Sequence, residues 1–166
     1  MTTKRIVINA ILSAVIMVST LYINFPILPS TGGLIHFGNI FIFLIALVLG
    51  MNYSLAGAIG LTIFDLISGY AIWAPATFIA RFLMALVVSK VGYRETNYFK
   101  VVGSQVLGSI ICVGVYYFYE ALFITNFATA ILSATTDSIT LLISIIVVTI
   151  LYPIVLGNIK KIKFDF

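Results

Sequence analysis

The chain has 166 residues, of which 62% are hydrophobic and only 8% are charged. A soluble domain is roughly half apolar and about a quarter charged, so this composition excludes a water-soluble protein and predicts one surrounded largely by lipid. The formal net charge of +4 comes from a few basic residues near segment ends, which indicates orientation signals and not a nucleic-acid surface.

Long, unbroken apolar runs divide the chain into helical spans, whereas a β-barrel would need short strands of alternating polarity. The first run is too long for the hydrophobic region of a signal peptide, so we interpret it as a retained span. The predicted fold class is therefore all-α, a single six-helix membrane domain over residues 1–166. The six predicted transmembrane helices cover residues 5–23, 36–49, 53–68, 75–91, 101–119 and 137–156.

Two segments between the spans are less regular. Residues 24–35 contain two prolines and two glycines among apolar residues, which predicts a loop packed against the protein or dipping into the membrane interface. Residues 121–136 are moderately apolar, and three interpretations stay open for them: an extension of the fifth span, an interfacial segment, or a lid.

The positions of the basic residues predict the orientation of the bundle. Six spans place both termini and the loop at residues 92–100 on one side, and the three loops on the other side contain no Lys or Arg. By the positive-inside rule, the side shared by the termini is cytoplasmic. The basic residues predicted on that side are Lys4, Arg5, Lys90, Arg94, Lys100, Lys160, Lys161 and Lys163.

Four ionisable residues lie inside or at the edge of the predicted spans, namely Asp65, Arg81, Glu120 and Asp137. Charges within a membrane usually face the protein interior and often mark function. At ~1.5 Å of rise per residue, Asp65 and Arg81 reach a similar depth in the outer half, where they are placed to pair. Glu120 is predicted to end the fifth span on the outer side, and Asp137 to begin the sixth.

Aromatic and polar residues near the outer ends complete a predicted pocket for a small organic ring compound. The candidate substrate-binding residues are His36, Asn39, Asp65, Tyr70, Trp73, Thr77, Arg81, Tyr116, Glu120 and Asp137.

Structural interpretations stay open for several of these residues. Asp65 and Arg81 suit an ion pair that joins two helices, and His36 and Trp73 suit interfacial anchors. Glu120 fits a solvated helix end, and Asp137 fits a helix N-cap without a ligand.

Nucleotide and metal chemistry have no sequence support. The chain contains no G-x-x-x-x-G-K-[ST] phosphate loop and no H-E-x-x-H motif, so it is not predicted to hydrolyse ATP itself. One histidine and one cysteine, Cys112, exclude an internal disulfide and argue against a metal site. We expect no catalytic residues, no metal and no cofactor.

Three stretches carry a more specific pattern: His36-Phe-Gly-Asn39, Gly57-Ala-Ile-Gly60 and Asp65-Leu-Ile-Ser-Gly-Tyr-Ala-Ile-Trp-Ala-Pro75. This block resembles the S components of energy-coupling factor (ECF) vitamin transporters, and it is most similar to the subgroup associated with hydroxymethylpyrimidine and pyridoxine. The resemblance implies a non-enzymatic subunit of an ATP-driven importer, which binds a vitamin or its precursor near the outer face, under the loop between the first two helices.

The resemblance also implies partners and a location. The partners are an ECF transmembrane coupling (T) subunit and two cytoplasmic ATPase subunits in a bacterial plasma membrane, and rotation of the whole subunit is expected to release the vitamin inside. The family's Ala-x-x-x-Ala docking motif matches Ala10 and Ala14. Alternatives are riboflavin or thiamine as the ligand of the same machinery, a stand-alone proton-coupled secondary carrier, and a subunit with no transport role.

Overall fold

Six α-helices make up most of the computed structural model, which describes residues 2–28 and 33–161. Four of the helices are long and apolar enough to cross a membrane, and two are shorter. The predicted all-α, six-helix class is thereby confirmed. The helices are α1 (Thr3–Tyr22), α2 (Gly38–Val48), α3 (Ser54–Ile67), α4 (Ala74–Gly92), α5 (Tyr98–Phe123) and α6 (Phe127–Lys161), with short 3-10 turns at Met51–Tyr53 and Ala71–Trp73.

An antiparallel hairpin of two strands joins α1 to α2, where the sequence predicted only a loop. Its strands are β1 (Asn24–Leu28) and β2 (Gly33–His36), and the pairing becomes irregular between Pro26 and Leu28. The strands were not predicted because proline lacks a backbone N–H donor and therefore argues against a regular strand. It is tolerated at strand edges and irregularities. Pro29 and Gly32, which also suggested a loop, lie outside the described residues.

Helix α2 occupies the centre of the bundle. Nine of its eleven residues are buried, and it contacts α1, α3, α4 and α6. A helix that is apolar on every side is stable only when other elements surround it. The neighbouring helices therefore form a shell around α2, and this shell brings the ends of α3, α4, α5 and α6 together.

A glycine allows α3 to pack closely against α1. A Cβ atom at Gly60 would lie 2.6 Å from the backbone oxygen of Ser13, so no larger residue fits without displacing a helix. Near the other end of the same contact, the Asn9 side chain donates a hydrogen bond of 3.0 Å to the carbonyl oxygen of Asn52. The two helices are thus held by close approach and by a polar contact.

The structure resolves the segment that the sequence left unplaced. Helix α5 continues to Phe123, and α6 begins at Phe127, so most of residues 121–136 belong to the first turns of α6. Asn126 marks the boundary, because its side-chain oxygen accepts a hydrogen bond of 2.9 Å from the Thr129 N–H, as a helix N-cap does.

This boundary corrects one prediction. Asp137 lies well inside α6 and is not an N-cap, whereas Glu120 lies in the last turn of α5, close to its predicted end. Both residues are therefore held on helical backbone, where the helix fixes the direction of the side chain.

The loop between α4 and α5 packs against one end of the bundle. The backbone N–H of Arg94 donates to the Leu47 oxygen at 2.8 Å, and the Tyr152 hydroxyl donates to the Glu95 oxygen at 2.8 Å. Because Asn52 follows α2 at this same end, the start of α1, the α4–α5 loop and the last part of α6 lie together. The segments that carry the basic residues thus lie at one end of the bundle. The cytoplasmic location of this end stays a prediction. Lys163 lies outside the described residues.

Candidate functional site

A cavity of about 80 Å³ lies at the opposite end of the bundle, bordered by the end of β2 and by α3, α4, α5 and α6. This volume holds several water molecules at roughly 10–15 Å³ each. Nine of the ten predicted substrate-binding residues line it. The lining residues are His36, Leu61, Phe64, Asp65, Tyr70, Trp73, Thr77, Arg81, Tyr116, Glu120, Ser133 and Asp137.

Asn39 is the predicted site residue that does not line the cavity. It lies in the first turn of α2 and is 1% exposed, because this helix is surrounded by protein on all sides. Within the described part of the chain, its side-chain oxygen has no hydrogen-bond partner. We therefore correct its assignment from a site residue to a buried polar residue next to the site.

The sequence missed three lining residues, Leu61, Phe64 and Ser133. Leu61 precedes Asp65 by four residues in α3, and Ser133 precedes Asp137 by four residues in α6, so helical periodicity places each pair on one face. That signal was available for α3. It was not available for Ser133, because residues 121–136 had no helical assignment.

A chain of hydroxyl groups joins three helices at the cavity wall. The Tyr116 hydroxyl on α5 donates to the Thr77 hydroxyl on α4 at 2.8 Å. The Thr77 hydroxyl in turn donates to the Asp65 carboxylate on α3. This arrangement fixes the position of the carboxylate and the tilt of the tyrosine ring, so one side of the cavity is held rigidly.

Arg81 does not form the predicted ion pair with Asp65. It donates to the Cys112 sulfur at 3.3 Å, and its guanidinium carbon lies 5.2 Å from the centre of the Tyr116 ring, within range of a cation–π contact. In the described part of the chain, the one ion pair joins Lys100 to Glu95, at 2.8 Å. The pairing prediction was wrong because Arg81 turns toward α5, while Thr77 binds the Asp65 carboxylate.

Glu120 joins α5 to α6 at the cavity. It is 3% exposed, and its carboxylate accepts a hydrogen bond of 3.0 Å from the Ser133 hydroxyl and a longer one of 3.4 Å from Thr125. The interpretation of Glu120 as a solvated helix end was therefore wrong. Asp137 lines the same cavity from α6.

Aromatic rings form another part of the wall. The ring centres of Trp73 and Tyr116 are 6.2 Å apart, and the Phe64 and Tyr70 rings are stacked with centres 6.3 Å apart. Such walls suit a planar ring compound, which gains contact area on aromatic faces.

His36 borders the cavity from β2, before the start of α2. Burial and, to a lesser extent, the nearby charge of Arg81 lower the pKa of His36 to about 3. The imidazole is therefore neutral at physiological pH, so Arg81 provides the positive charge among the lining side chains.

Sequence comparison agrees with the geometry. A family model described as "ECF-type riboflavin transporter, S component" matches residues 1–161. The chain belongs to this family. It is therefore an S component of an ECF transporter, a multi-pass membrane protein and not an enzyme. These predictions from the sequence are confirmed at this level.

One relative is a Pyrococcus woesei protein named "Uncharacterized protein in gap 3'region", which is 32% identical to the S component over 99 residues. The match covers 59% of the S component and 66% of the relative, slightly less than two thirds of its length. Its name gives no ligand, so the family model alone bears on the substrate. That model is named for riboflavin, not for hydroxymethylpyrimidine or pyridoxine.

The predicted docking motif of the S component lies away from the cavity lining. Ala10 and Ala14 are exposed on α1, whereas the side of α1 that faces the bundle contains Asn9, Ser13 and Ile16. An exposed pair of small residues four positions apart lets another helix approach closely. The role of Ala10 and Ala14 in docking stays a prediction.

Proposed function

We propose that this S component binds a small heterocyclic vitamin in the cavity, near the outer face of the membrane, and delivers it inward with a T subunit and two cytoplasmic ATPase subunits. The observation that carries the proposal is the cavity itself, which gathers carboxylates, a guanidinium and aromatic rings at one end of the bundle. A buried site with a few polar groups among aromatic walls is typical of a small-molecule site.

The family model supports riboflavin, the alternative ligand, better than hydroxymethylpyrimidine or pyridoxine. The motif resemblance described above is the support for those two smaller ligands. Riboflavin, with three fused rings, is larger than hydroxymethylpyrimidine or pyridoxine, so among these ligands it depends most on adjustment of the side chains around the cavity. Changes of side-chain rotamer at a binding surface are common on binding, even where the backbone moves little.

Trp73 gives a direct test, because it is the single tryptophan of the chain and it lines the cavity. The purified protein is titrated with riboflavin, hydroxymethylpyrimidine, pyridoxine and thiamine, and the tryptophan emission is recorded. We expect a saturable change with at least one of them. No saturable change with any of the four vitamins, measured also by calorimetry, would refute the proposal.

Glu120→Gln tests whether the cavity is the site. A hydrogen bond to a charged group contributes about 1.5–3 kcal/mol, so we expect roughly a 10- to 100-fold loss of affinity. Glu95→Gln is the matched control, because Glu95 pairs with Lys100 on the loop at the other end of the bundle. An equal loss in both variants would place the ligand elsewhere.

Reconstitution tests the energy source. Uptake into vesicles should require the T subunit, both ATPase subunits and ATP. Uptake by the S component alone would instead support the secondary-carrier hypothesis.

A further inference from the structure

An apolar groove lies between α5 and α6 on the outside of the bundle. Its volume is about 460 Å³, and among the residues that the structure describes it shares none with the cavity proposed for the vitamin. Ile110 and Leu142 line the groove and are 63% and 56% exposed, so in a membrane it opens toward lipid. The lining residues are Val106, Ser109, Ile110, Val113, Gly114, Tyr117, Ala134, Ser138, Leu141, Leu142 and Ile145.

Small side chains leave this groove unfilled. A Cβ atom at Gly114 would have nothing within 4 Å, and on α6 the Ser138 hydroxyl donates back to the Ala134 carbonyl oxygen at 2.7 Å. Space beside apolar side chains loses dispersion contacts unless other atoms fill it. A flexible hydrocarbon chain follows the shape of such a groove and brings no polar group that needs a partner. The groove is therefore suited to an acyl chain of a lipid.

A second cavity, of about 250 Å³, lies between the same two helices at the end of the bundle that carries the α4–α5 loop. Two of the residues that line it are tyrosines, a residue type enriched where a membrane meets water. The second cavity is therefore placed at the depth of lipid headgroups. Its lining residues are Glu95, Thr96, Tyr98, Val101, Tyr152, Pro153, Leu156 and Gly157.

Hydrogen bonds around Pro153 hold the walls of this second cavity. Proline has no N–H to donate to the carbonyl oxygen four residues earlier, which is that of Thr149. The Tyr98 hydroxyl on α5 donates to this oxygen instead, at 3.3 Å. The Tyr152 hydroxyl donates to the Glu95 carbonyl oxygen at 2.8 Å. Both tyrosine hydrogens are thus used within the protein, so these hydroxyl groups offer lone pairs to a ligand.

Opposite charges stand side by side at the second cavity. Glu95 lines it, and the Glu95 carboxylate lies 2.8 Å from the Lys100 ammonium, with side chains 31% and 57% exposed. A carboxylate has about four lone-pair sites, so Glu95 retains sites for a second cation. The ring faces of Tyr98 and Tyr152 attract cations as well, while Lys100 remains accessible to an anion. The site therefore complements a headgroup that joins an ammonium to a phosphate.

The spacing between the second cavity and the groove suits one lipid molecule. Val106 and Ser109 lie eight and eleven residues after Tyr98, which is about 12 and 17 Å along α5. One leaflet supplies half of the roughly 30 Å hydrocarbon core. An acyl chain whose headgroup lies at Glu95 therefore reaches the nearer part of the groove.

We propose that a phospholipid with a primary ammonium headgroup, as in phosphatidylethanolamine, binds between α5 and α6. Its ammonium contacts Glu95, its phosphate contacts Lys100, and one acyl chain lies in the nearer part of the groove. Such a lipid joins two helices whose direct packing the groove interrupts, and a ligand that binds only the folded state stabilises it by mass action. This lipid site is independent of the vitamin and of the cavity proposed for it.

Native mass spectrometry of the purified protein, titrated with phosphatidylethanolamine or phosphatidylglycerol of the same acyl chains, tests the headgroup. We expect a one-lipid complex whose Kd for phosphatidylethanolamine is at least about threefold lower than for phosphatidylglycerol. In Glu95→Gln, which removes the charge and keeps the size, this preference should fall about two- to fivefold, as for a partly exposed ion pair. Equal or tighter binding of phosphatidylglycerol to the wild type, or an unchanged preference in Glu95→Gln, would overturn the proposal.

Ser109→Leu tests the groove, because leucine at this lining position occupies the space assigned to the acyl chain. The affinity for phosphatidylethanolamine should fall at least about threefold, and Val106→Phe is a second lining variant if Ser109→Leu does not fold. Gly103→Leu is the control, because Gly103 lies on the same helix outside both linings and a Cβ there has nothing within 4 Å. Equal affinity in the lining and control variants would remove the chain from the groove, and a lipid-free dimer would assign the groove to a second copy. Either result would overturn the proposal.

Discussion

Thr77→Val would remove the central hydroxyl of the chain that joins α3, α4 and α5. Valine keeps the shape of threonine, so the change deletes two hydrogen bonds and little packing. The Asp65 carboxylate loses its donor and the Tyr116 hydroxyl loses its acceptor. Because Thr77 is only 3% exposed, bulk water does not readily replace either bond.

The expected loss of stability follows from these two bonds. A bond to a charged group contributes about 1.5–3 kcal/mol and a neutral one about 0.5–1.5 kcal/mol, whereas side-chain bonds measured within a membrane average about 0.6 kcal/mol each. We therefore expect Thr77→Val to lower the free energy of unfolding by about 2 kcal/mol. Thr62→Val is the control, because Thr62 donates only to the Ala58 carbonyl oxygen within its own helix.

A double-mutant cycle that combines Thr77→Val with Tyr116→Phe measures the coupling energy within this chain of hydroxyl groups. Tyr116→Phe removes the donor of the bond to Thr77, which Thr77→Val also breaks, so the double variant should be about as stable as Thr77→Val alone, with a coupling of about 1 kcal/mol. Reversible unfolding in detergent, followed by circular dichroism, gives the four free energies. Additive effects of the two substitutions would refute the cooperative chain.

Two further outcomes follow from helix packing. In the same unfolding assay, Gly60→Ala should destabilise the bundle by about 1–3 kcal/mol, because the new Cβ would lie 2.6 Å from the Ser13 carbonyl oxygen. Gly103→Ala is the control, because a Cβ there has nothing within 4 Å. It should be neutral or raise stability by up to about 1 kcal/mol. Ala14→Leu should leave vitamin binding unchanged and reduce co-purification with the T subunit, since Ala14 is exposed on α1 away from the cavity; undiminished co-purification would remove this residue from the docking surface.

The helices, and most of the residues that line the cavity, were predictable because a membrane restricts the structures that a chain can form. Every backbone polar group inside a bilayer must be paired, which favours helices wherever a long apolar run occurs. The cost of burying charge likewise directs Asp65 and Arg81 toward the protein interior. These two constraints act on local sequence, so composition and spacing revealed them.

The details that depend on neighbouring helices were not predictable in the same way. Arg81 and Asp65 have opposite charges at similar depth, yet Cys112 and Thr77, on helices α5 and α4, bind them instead. The start of α6 was missed for a different reason. The Asn126 cap is a local signal that the sequence contains, but the moderately apolar residues that follow it fit an interfacial segment or a lid as well as a helix.

The short central helix has a consequence for how it is held in the membrane. At ~1.5 Å per residue, the eleven residues of α2 extend about 17 Å, well short of the roughly 30 Å hydrocarbon core that an independent span must cross. Partition into lipid therefore cannot by itself hold α2 in place. Its position in the membrane depends instead on its contacts with α1, α3, α4 and α6.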